Sequence, residues 1–345
     1  MKQKIYVLCP KTRHPSGGVK QLFSLVDHLN ALGYDAALIR KSPLKKVRWF
    51  DYSTKIVYFP YLYFLLENLL IKKKDKNSFF FKVMNFLFFN KSLPEKDSIL
   101  VYPEIYGPNL AKLLPQHKFI VFNQNVFLTY NLFDYKQHQA DPYVSENLLG
   151  VITVSEDSKR YLQYVYPNIS VHRLRLGIKD SFAYSSEKRN QIAFMPRKLR
   201  EDSNQVLNIL QTRGKLKNWT VVSIDNASEE EVARILKESA IFLSFNYQEG
   251  LGLPPLEAMA CGCFVVGYAG QGGKEYLKPE FSISVPEGDI ITYVKEIEGV
   301  LETYEANPNA VISKGQLASE YVRSNFNHVN EREDIRTAFE KLLKY

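Results

Sequence analysis

The stretch Ala240-Ile-Phe-Leu-Ser-Phe-Asn-Tyr-Gln-Glu249-Gly-Leu-Gly-Leu-Pro-Pro-Leu-Glu257-Ala-Met-Ala-Cys-Gly-Cys-Phe-Val-Val266 decides how this chain is read. Its opening apolar run, 240–245, reads as a buried strand. Pro254 and Pro255 suit the first turn of a helix, where no backbone N–H is needed. Glu257 then lies near the start of that helix. Glu249 lies on the loop before it, built from Gly250, Leu251 and Gly252. The spacing predicts two carboxylates facing one cleft, beside free N–H groups and the positive end of a helix dipole. Carboxylates accept hydrogen bonds from hydroxyls and a helix N-terminus takes phosphate, so the pattern points to a polyhydroxylated, anionic ligand.

The same residues resemble the donor-site signature of retaining nucleotide-sugar glycosyltransferases with the GT-B fold, the family 4 type. The likeness continues through Ala258-Met259-Ala260, Gly262 and the strand at Val265-Val266. Two glutamates at this spacing are common on helix surfaces, one capping and one solvated. Set between a strand, a glycine loop, a diproline, a helix and a second strand, the pair becomes specific. The resemblance implies an α/β chain of two Rossmann-like doubly wound domains facing a cleft. It also implies a nucleotide-diphosphate sugar as co-substrate and no other cofactor.

Working outward, length and composition agree with two domains. A chain of 345 residues is large for one core. Its 45% apolar content is ample for burial, and 24% charge argues against disorder. Cys9, Cys261 and Cys263 have neither zinc-ligand nor redox spacing, which predicts a reducing, cytoplasmic setting. The chain enters a strand at 4–9, which predicts no secretory signal peptide, and no apolar run reaches the length of a membrane span.

Strand-like and helix-like segments alternate nearly end to end, as in doubly wound layers. The first strand leads to a helix with Val19, Leu22, Phe23, Val26 and Leu29 on one face, stopped by Gly33. Strands are predicted at 35–39, 98–102, 118–122, 151–154 and 170–173, then at 191–194, 220–224, 241–245 and 264–267. The junction near Leu174 predicts domains over 1–173 and 174–330, which by the resemblance are the acceptor side and the donor side. The tail from about 311 reads as two helices. By the resemblance, the last of them, 331–345, returns to the first domain.

Charge divides unevenly. Residues 1–172 carry 23 Lys and Arg against 13 Asp and Glu, and residues 173–345 carry 22 against 24, so +10 and −2 make up the net +8. In the resembling family the first half meets the acceptor, a glycan or a lipid-linked glycan. Much of the excess, Lys72, Lys73, Lys74, Lys76, Lys82 and Lys91, lies among aromatic runs at 61–66 and 79–89. A segment of this kind over 60–96 fits the headgroup layer of an anionic membrane, here the inner membrane face. It fits equally a core helix with a solvated lysine turn. No recognition motif accompanies the charge, so nucleic acid is not an expected partner.

Several strand ends carry chemistry. Pro15-Ser-Gly17-Gly18-Val19 falls between the first strand and first helix, where a doubly wound sheet opens its ligand crevice. Glycines let a phosphate approach the backbone, and by the resemblance Gly17 and Gly18 flank the donor diphosphate. They match neither the three-glycine dinucleotide pattern nor a Walker loop, and a plain tight turn also accounts for them. Phe194-Met-Pro-Arg197-Lys198 follows the first strand of the second half. The resembling family uses an Arg and a Lys here to bind donor phosphates and stabilise the departing nucleotide. In this chain Arg197 and Lys198 are adjacent and Arg200 follows, leaving Lys198 or Arg200 as the partner of Arg197. Neighbours on an extended segment point opposite ways.

In the first half, Val101-Tyr-Pro-Glu104 ends a strand on a carboxylate, and Val121-Phe-Asn123-Gln124-Asn125 ends another on three amides. Amides suit sugar hydroxyls, and they also suit turn and cap bonds. Many relatives place a histidine here to contact the donor sugar; this chain has none at that point. Ser155 reads as a helix cap, and Tyr268-Ala-Gly-Gln-Gly-Gly273 as a second glycine loop near the motif helix. No Asp-x-Asp pair or metal-ligand cluster stands out, so no metal is implied. The diphosphate charge then falls to Arg197, Lys198 or Arg200, helix dipoles and N–H groups.

The resemblance implies hexosyl or deoxyhexosyl transfer with retention, in cell-surface polysaccharide synthesis. Glu249 would contact sugar hydroxyls and Glu257 the nucleotide ribose, with Arg197, Lys198 and Glu104 completing the catalytic set. Two alternatives stand beside it. One is hydrolysis or epimerisation of a nucleotide sugar, with Glu104 as the acid/base. The other is a non-catalytic subunit that keeps the fold, against which the intact Glu249, Glu257 and Arg197 argue.

Overall fold

The computed structural model describes residues 3–11, 16–43, 50–71, 79–87 and 91–344. The chain forms two units. The first is Met1–Val154 with Ser158–Leu174 and Arg332–Tyr345, and the second is Ser155–Asp157 with Arg175–Glu331.

In the first unit the strands are β1 (Lys4–Leu8), β2 (Asp35–Arg40), β3 (Ile56–Tyr58), β4 (Ile99–Pro103), β5 (Phe119–Asn123), β6 (Leu148–Thr153) and β7 (Val171–Arg173). They form one parallel sheet in the order β3-β2-β1-β4-β5-β6-β7. β4 and β5 are buried along their whole length. A parallel sheet covered on both faces demands such continuous apolar runs. Helix α1 (Gly17–Ala31) follows β1 and buries Val19, Leu22, Phe23, Leu25, Val26 and Leu29. Gly33, at φ 85°, supplies the left-handed residue that turns the chain out of it. α2 (Pro60–Leu65) runs into a π-helical turn, Leu66–Ile71, and α3 (Phe79–Phe86) and α4 (Glu156–Val165) follow.

The second unit holds β8 (Arg189–Phe194), α5 (Arg200–Thr212), β9 (Thr220–Ser223), α6 (Glu229–Glu238), β10 (Ser239–Phe245), α7 (Leu253–Ala260), β11 (Phe264–Tyr268), β12 (Ser282–Val285), α8 (Ile290–Ala306) and α9 (Pro308–Asn325). Its parallel sheet runs β12-β11-β10-β8-β9. α9 lies tightly on the end of α7: Ser319 Oγ donates to the Ala260 carbonyl at 2.7 Å, and a Cβ on Gly315 would come within 2.2 Å of the Gly262 carbonyl. α10 (His328–Leu342) begins in the second unit and ends in the first. There, Arg332 Nε meets His28 Nδ1 at 3.3 Å and Phe339 packs against Tyr34.

Two strands had no clear signal in the sequence, β3 and β12. Both are short edge strands, three and four residues long, and too brief to display a period.

Each sheet has one place where the strand order reverses. In the first unit it lies between β1 and β4, and in the second between β8 and β10. Loops leaving neighbouring strands in opposite directions open a crevice at their carboxyl ends, which is where open α/β sheets bind ligands. The residues following β1, β4, β8 and β10 therefore claim attention.

Candidate functional site

In the second unit, the segments after β8 and β10 meet. β8 ends at Phe194, and residues 196–198 form a turn before α5 opens at Arg200. Arg197 and Lys198 therefore do not lie on an extended segment. The turn, closed by Leu199 in the left-handed region at φ 46°, sets their directions. Lys198 Nζ comes to 2.5 Å from Glu249 Oε1, with the two side chains 39% and 26% exposed. Arg200, the other candidate, is exposed at the start of α5, as is Arg197 on the turn. Gln248, just before Glu249, is also left-handed, at φ 48°. A non-glycine residue costs roughly 1–2 kcal/mol there. Both members of the ion pair thus adjoin a backbone that the surrounding packing holds in a costly conformation.

The glycine loop is clamped from beneath. Tyr276, fully buried, donates its hydroxyl to the Leu251 and Gly252 carbonyls at 3.2 and 2.7 Å. Burial pushes its pKa well up, with the Glu249 and Glu275 charges adding, so it remains a neutral donor. Asn246 donates to the Ala269 carbonyl at 3.1 Å. Gly252, at φ 85°, passes so close that a Cβ there would lie 2.2 Å from Asn246 Nδ2. The second glycine loop closes the other side, since a Cβ on Gly272 would lie 2.2 Å from the Gly250 carbonyl. Leu251 is buried, so its side chain belongs to the core of the unit. α7 starts at Leu253 with both prolines in its first turn, and Glu257 lies half-buried on the next. Asn246 and Tyr276 escaped sequence reasoning. Asn246 had a signal, a polar residue directly after an apolar strand; Tyr276, on a distant loop, had none.

In the first unit, Gly17 opens α1, and the Gly18 carbonyl accepts from Gln124 Nε2 at 3.1 Å. The three amides at the end of β5 take three different tasks. Asn123 is fully buried and its Nδ2 donates to Thr129 Oγ1 and Tyr143 Oη, each at 2.8 Å, so its amide nitrogen braces the scaffold. Gln124 reaches α1, and Asn125 Oδ1 caps the Phe127 N–H at 3.1 Å.

Glu104 stands at the end of β4 and is only 6% exposed. Burial pushes its pKa up to about 7, against the pull of N–H groups on its own residue, Gln124 and Asn125. Its Oε2 has no hydrogen-bond partner among the described residues. A carboxyl raised in the folded state adds stability that is complete below its unfolded value and fades as pH rises through 7. From an ordinary value of 4.5 the full effect is about 3 kcal/mol. Glu104→Gln should therefore gain on the wild type in urea midpoint between pH 4.5 and pH 8. A pH-independent difference would contradict the buried titration.

The lysine-rich segment is described in part. Lys72, Lys73, Lys74 and Lys76 lie outside the described residues. On α3, Phe81 is buried, while Phe79, Val83 and Phe86 are 83%, 38% and 83% exposed. Their spacing of four and three residues puts them on one helical face, with Lys82 exposed beside it.

Residues 201–324 match the family model "Glycosyl transferases group 1", a span that includes Glu249 and Glu257 but not Arg197, Lys198 or Arg200. An alpha-1,6-glucosyltransferase of Actinobacillus pleuropneumoniae serotype 7 (strain AP76) is 34% identical over 179 residues, 50% of this chain and 53% of that protein. The chain thus spans about half the length of the curated relative it matches. Sucrose-phosphate synthase from Thermosynechococcus elongatus is similar in structure over 99% of both chains, at 15% identity and a TM-score of 0.69. A TarM variant from S. aureus, solved with fondaparinux, alpha-GlcNAc-glycerol and UDP, is similar over 99% of this chain and 100% of its own, at 10% identity and a TM-score of 0.65. At these identities the likeness carries the fold: two parallel α/β units of the GT-B type.

Proposed function

We propose that this chain is a glycosyltransferase that moves a hexosyl group from a nucleoside-diphosphate sugar to a carbohydrate acceptor with retention. The observation that carries this reading is the Lys198–Glu249 pair at the switch point of the second sheet, beside the clamped Gly250–Gly252 loop and the start of α7. Cation, carboxylate and helix N-terminus together match a donor that is anionic at one end and hydroxylated at the other. Glu249 takes sugar hydroxyls, Glu257 the ribose hydroxyls, and Lys198 with Arg197 the diphosphate. The acceptor belongs to the first unit, at the edge carrying Gln124, Asn125 and Glu104.

Transfer then breaks the bond between C1 and the diphosphate oxygen as the acceptor oxygen bonds C1 on the same face. The acceptor proton passes to the departing phosphate. Charge on that leaving group is met by Lys198, Arg197 and N–H groups, without a metal. The UDP bound by the TarM variant and the glucosyl transfer named for the Actinobacillus relative favour UDP-glucose as donor. The experiment is a melting-point screen against nucleoside diphosphates, followed by transfer from the corresponding sugar and NMR of the product. A ligand at 100 times its Kd adds about 2.7 kcal/mol of stability. An inverted anomeric centre would remove retention. Free sugar released at the full rate without acceptor would favour hydrolysis.

The exposed Phe79, Val83 and Phe86 favour an anionic membrane surface for α3 over a core helix, with a role in cell-surface polysaccharide assembly. Flotation with phosphatidylglycerol liposomes at low salt should retain the wild type and release the double variant Phe79→Ser, Phe86→Ser. Equal flotation of the two would count against it.

A further inference from the structure

The carboxyl edge of the first sheet carries a second charged cluster that the donor chemistry does not use. β1 and β2 run side by side in parallel, with Leu8 opposite Ile39, so Lys11 and Lys41 leave the sheet at the same edge. Both turn onto one carboxylate, Glu67. Lys11 Nζ contacts its Oε1, and Lys41 Nζ lies 3.5 Å from its Oε2. Glu67 comes from the π-helical turn Leu66–Ile71, a rare distortion that recurs at functional sites. At the same edge, Tyr63 bonds the Cys9 and Ile39 carbonyls at the ends of the two strands.

Two ammonium groups therefore share a single carboxylate. Burial lowers the Lys41 pKa, and the neighbouring Lys11 lowers it further, while Glu67 pulls the other way. For Glu67, burial raises the pKa, but the two lysines outweigh it and leave the carboxyl below its usual value. Two ammonium charges against one carboxylate leave one positive charge unmatched. A phosphate, with more charge and more acceptor oxygens than one carboxylate, suits two lysines better than Glu67 does.

We propose that Lys11 and Lys41 form an anion-binding subsite that receives a phosphate group of the acceptor, with Glu67 occupying it when the acceptor is absent. This rests on the reading of the first unit as the acceptor side. Phosphate on a soluble sugar and phosphate in a lipid headgroup share this chemistry, and the test separates them.

The full chain would be saturated with UDP, so that the nucleotide site cannot take the probe. It would then be titrated calorimetrically with glucose 6-phosphate and with glucose. The expected result is at least tenfold tighter binding of the phosphorylated sugar, with the preference lost in Lys11→Gln and in Lys41→Gln. Glu67→Gln should bind it several-fold tighter than the wild type, because the competing carboxylate is gone. That gain cannot come from misfolding. Phosphatidylglycerol vesicles, run in parallel, assign the group to a lipid if they alone show the same dependence on Lys41. No preference for either phosphate probe, or weaker binding in Glu67→Gln, would overturn the proposal. Because the readout is binding, transfer without phosphate preference removes only the subsite, and phosphate preference without transfer removes only the proposed activity.

Discussion

Replacing Lys198 by alanine should lower kcat for sugar transfer by about 10²–10³-fold while moving the melting point of the free protein very little. The two halves of this expectation have different physical origins. In the transfer step, charge develops on the departing diphosphate, and losing one positioned donor to developing charge costs roughly 2.7–4 kcal/mol of barrier. In the free protein, Lys198 and Glu249 are 39% and 26% exposed, so water screens their 2.5 Å contact. Exposed pairs of this type contribute about 0–1 kcal/mol. Arg200→Ala, on an exposed side chain at the start of α5, should have the smaller effect of the two. Steady-state rates at saturating donor, with a thermal melt of each variant, decide the matter. A kcat unchanged in Lys198→Ala would transfer the leaving-group role to Arg197 or Arg200.

Glu257→Ala should weaken binding of UDP and of UDP-glucose by the same factor, about 10–150-fold. Hydrogen bonds to a charged group contribute about 1.5–3 kcal/mol, and each 1.4 kcal/mol is tenfold in affinity. Both ligands contain the ribose that Glu257 is proposed to hold, so both lose equally. Glu249→Ala should behave differently, sparing UDP and weakening UDP-glucose, because only the sugar ring is proposed to reach it. Calorimetric titration of the two variants with the two ligands gives four affinities and tests both roles together. Should Glu257→Ala keep wild-type affinity for UDP, the ribose assignment fails and Glu257 becomes a residue that shapes α7.

Much of the second unit was legible from local chemistry. The all-buried strands β10 and β11, the diproline start of α7 and the loop carrying Glu249 all occur where the sequence places them. Cys261 and Cys263 are fully buried, in keeping with their position at the apolar end of the motif. The basic turn after β8 was legible as a basic segment, but its shape was not. Its course depends on Leu199 adopting a left-handed conformation that no propensity favours. The three amides at the end of β5 look equivalent in sequence, yet the Asn123 amide nitrogen is engaged inside the unit by Thr129 and Tyr143.

The sequence by itself determined the alternation of strand and helix, the residues that end each β–α segment, and the chemical character of the motif loop. Each of these follows from neighbours a few residues apart: apolar runs, prolines without N–H groups, and glycines that tolerate positive φ. The tertiary structure alone decided that β10 lies against β8, which sets Glu249 beside Lys198, and that Tyr276 and Asn246 hold the loop between them. It likewise decided that Lys11 and Lys41 share Glu67. These are contacts between segments 23 to 56 residues apart, formed only when the sheets assemble, and local propensity carries no record of them.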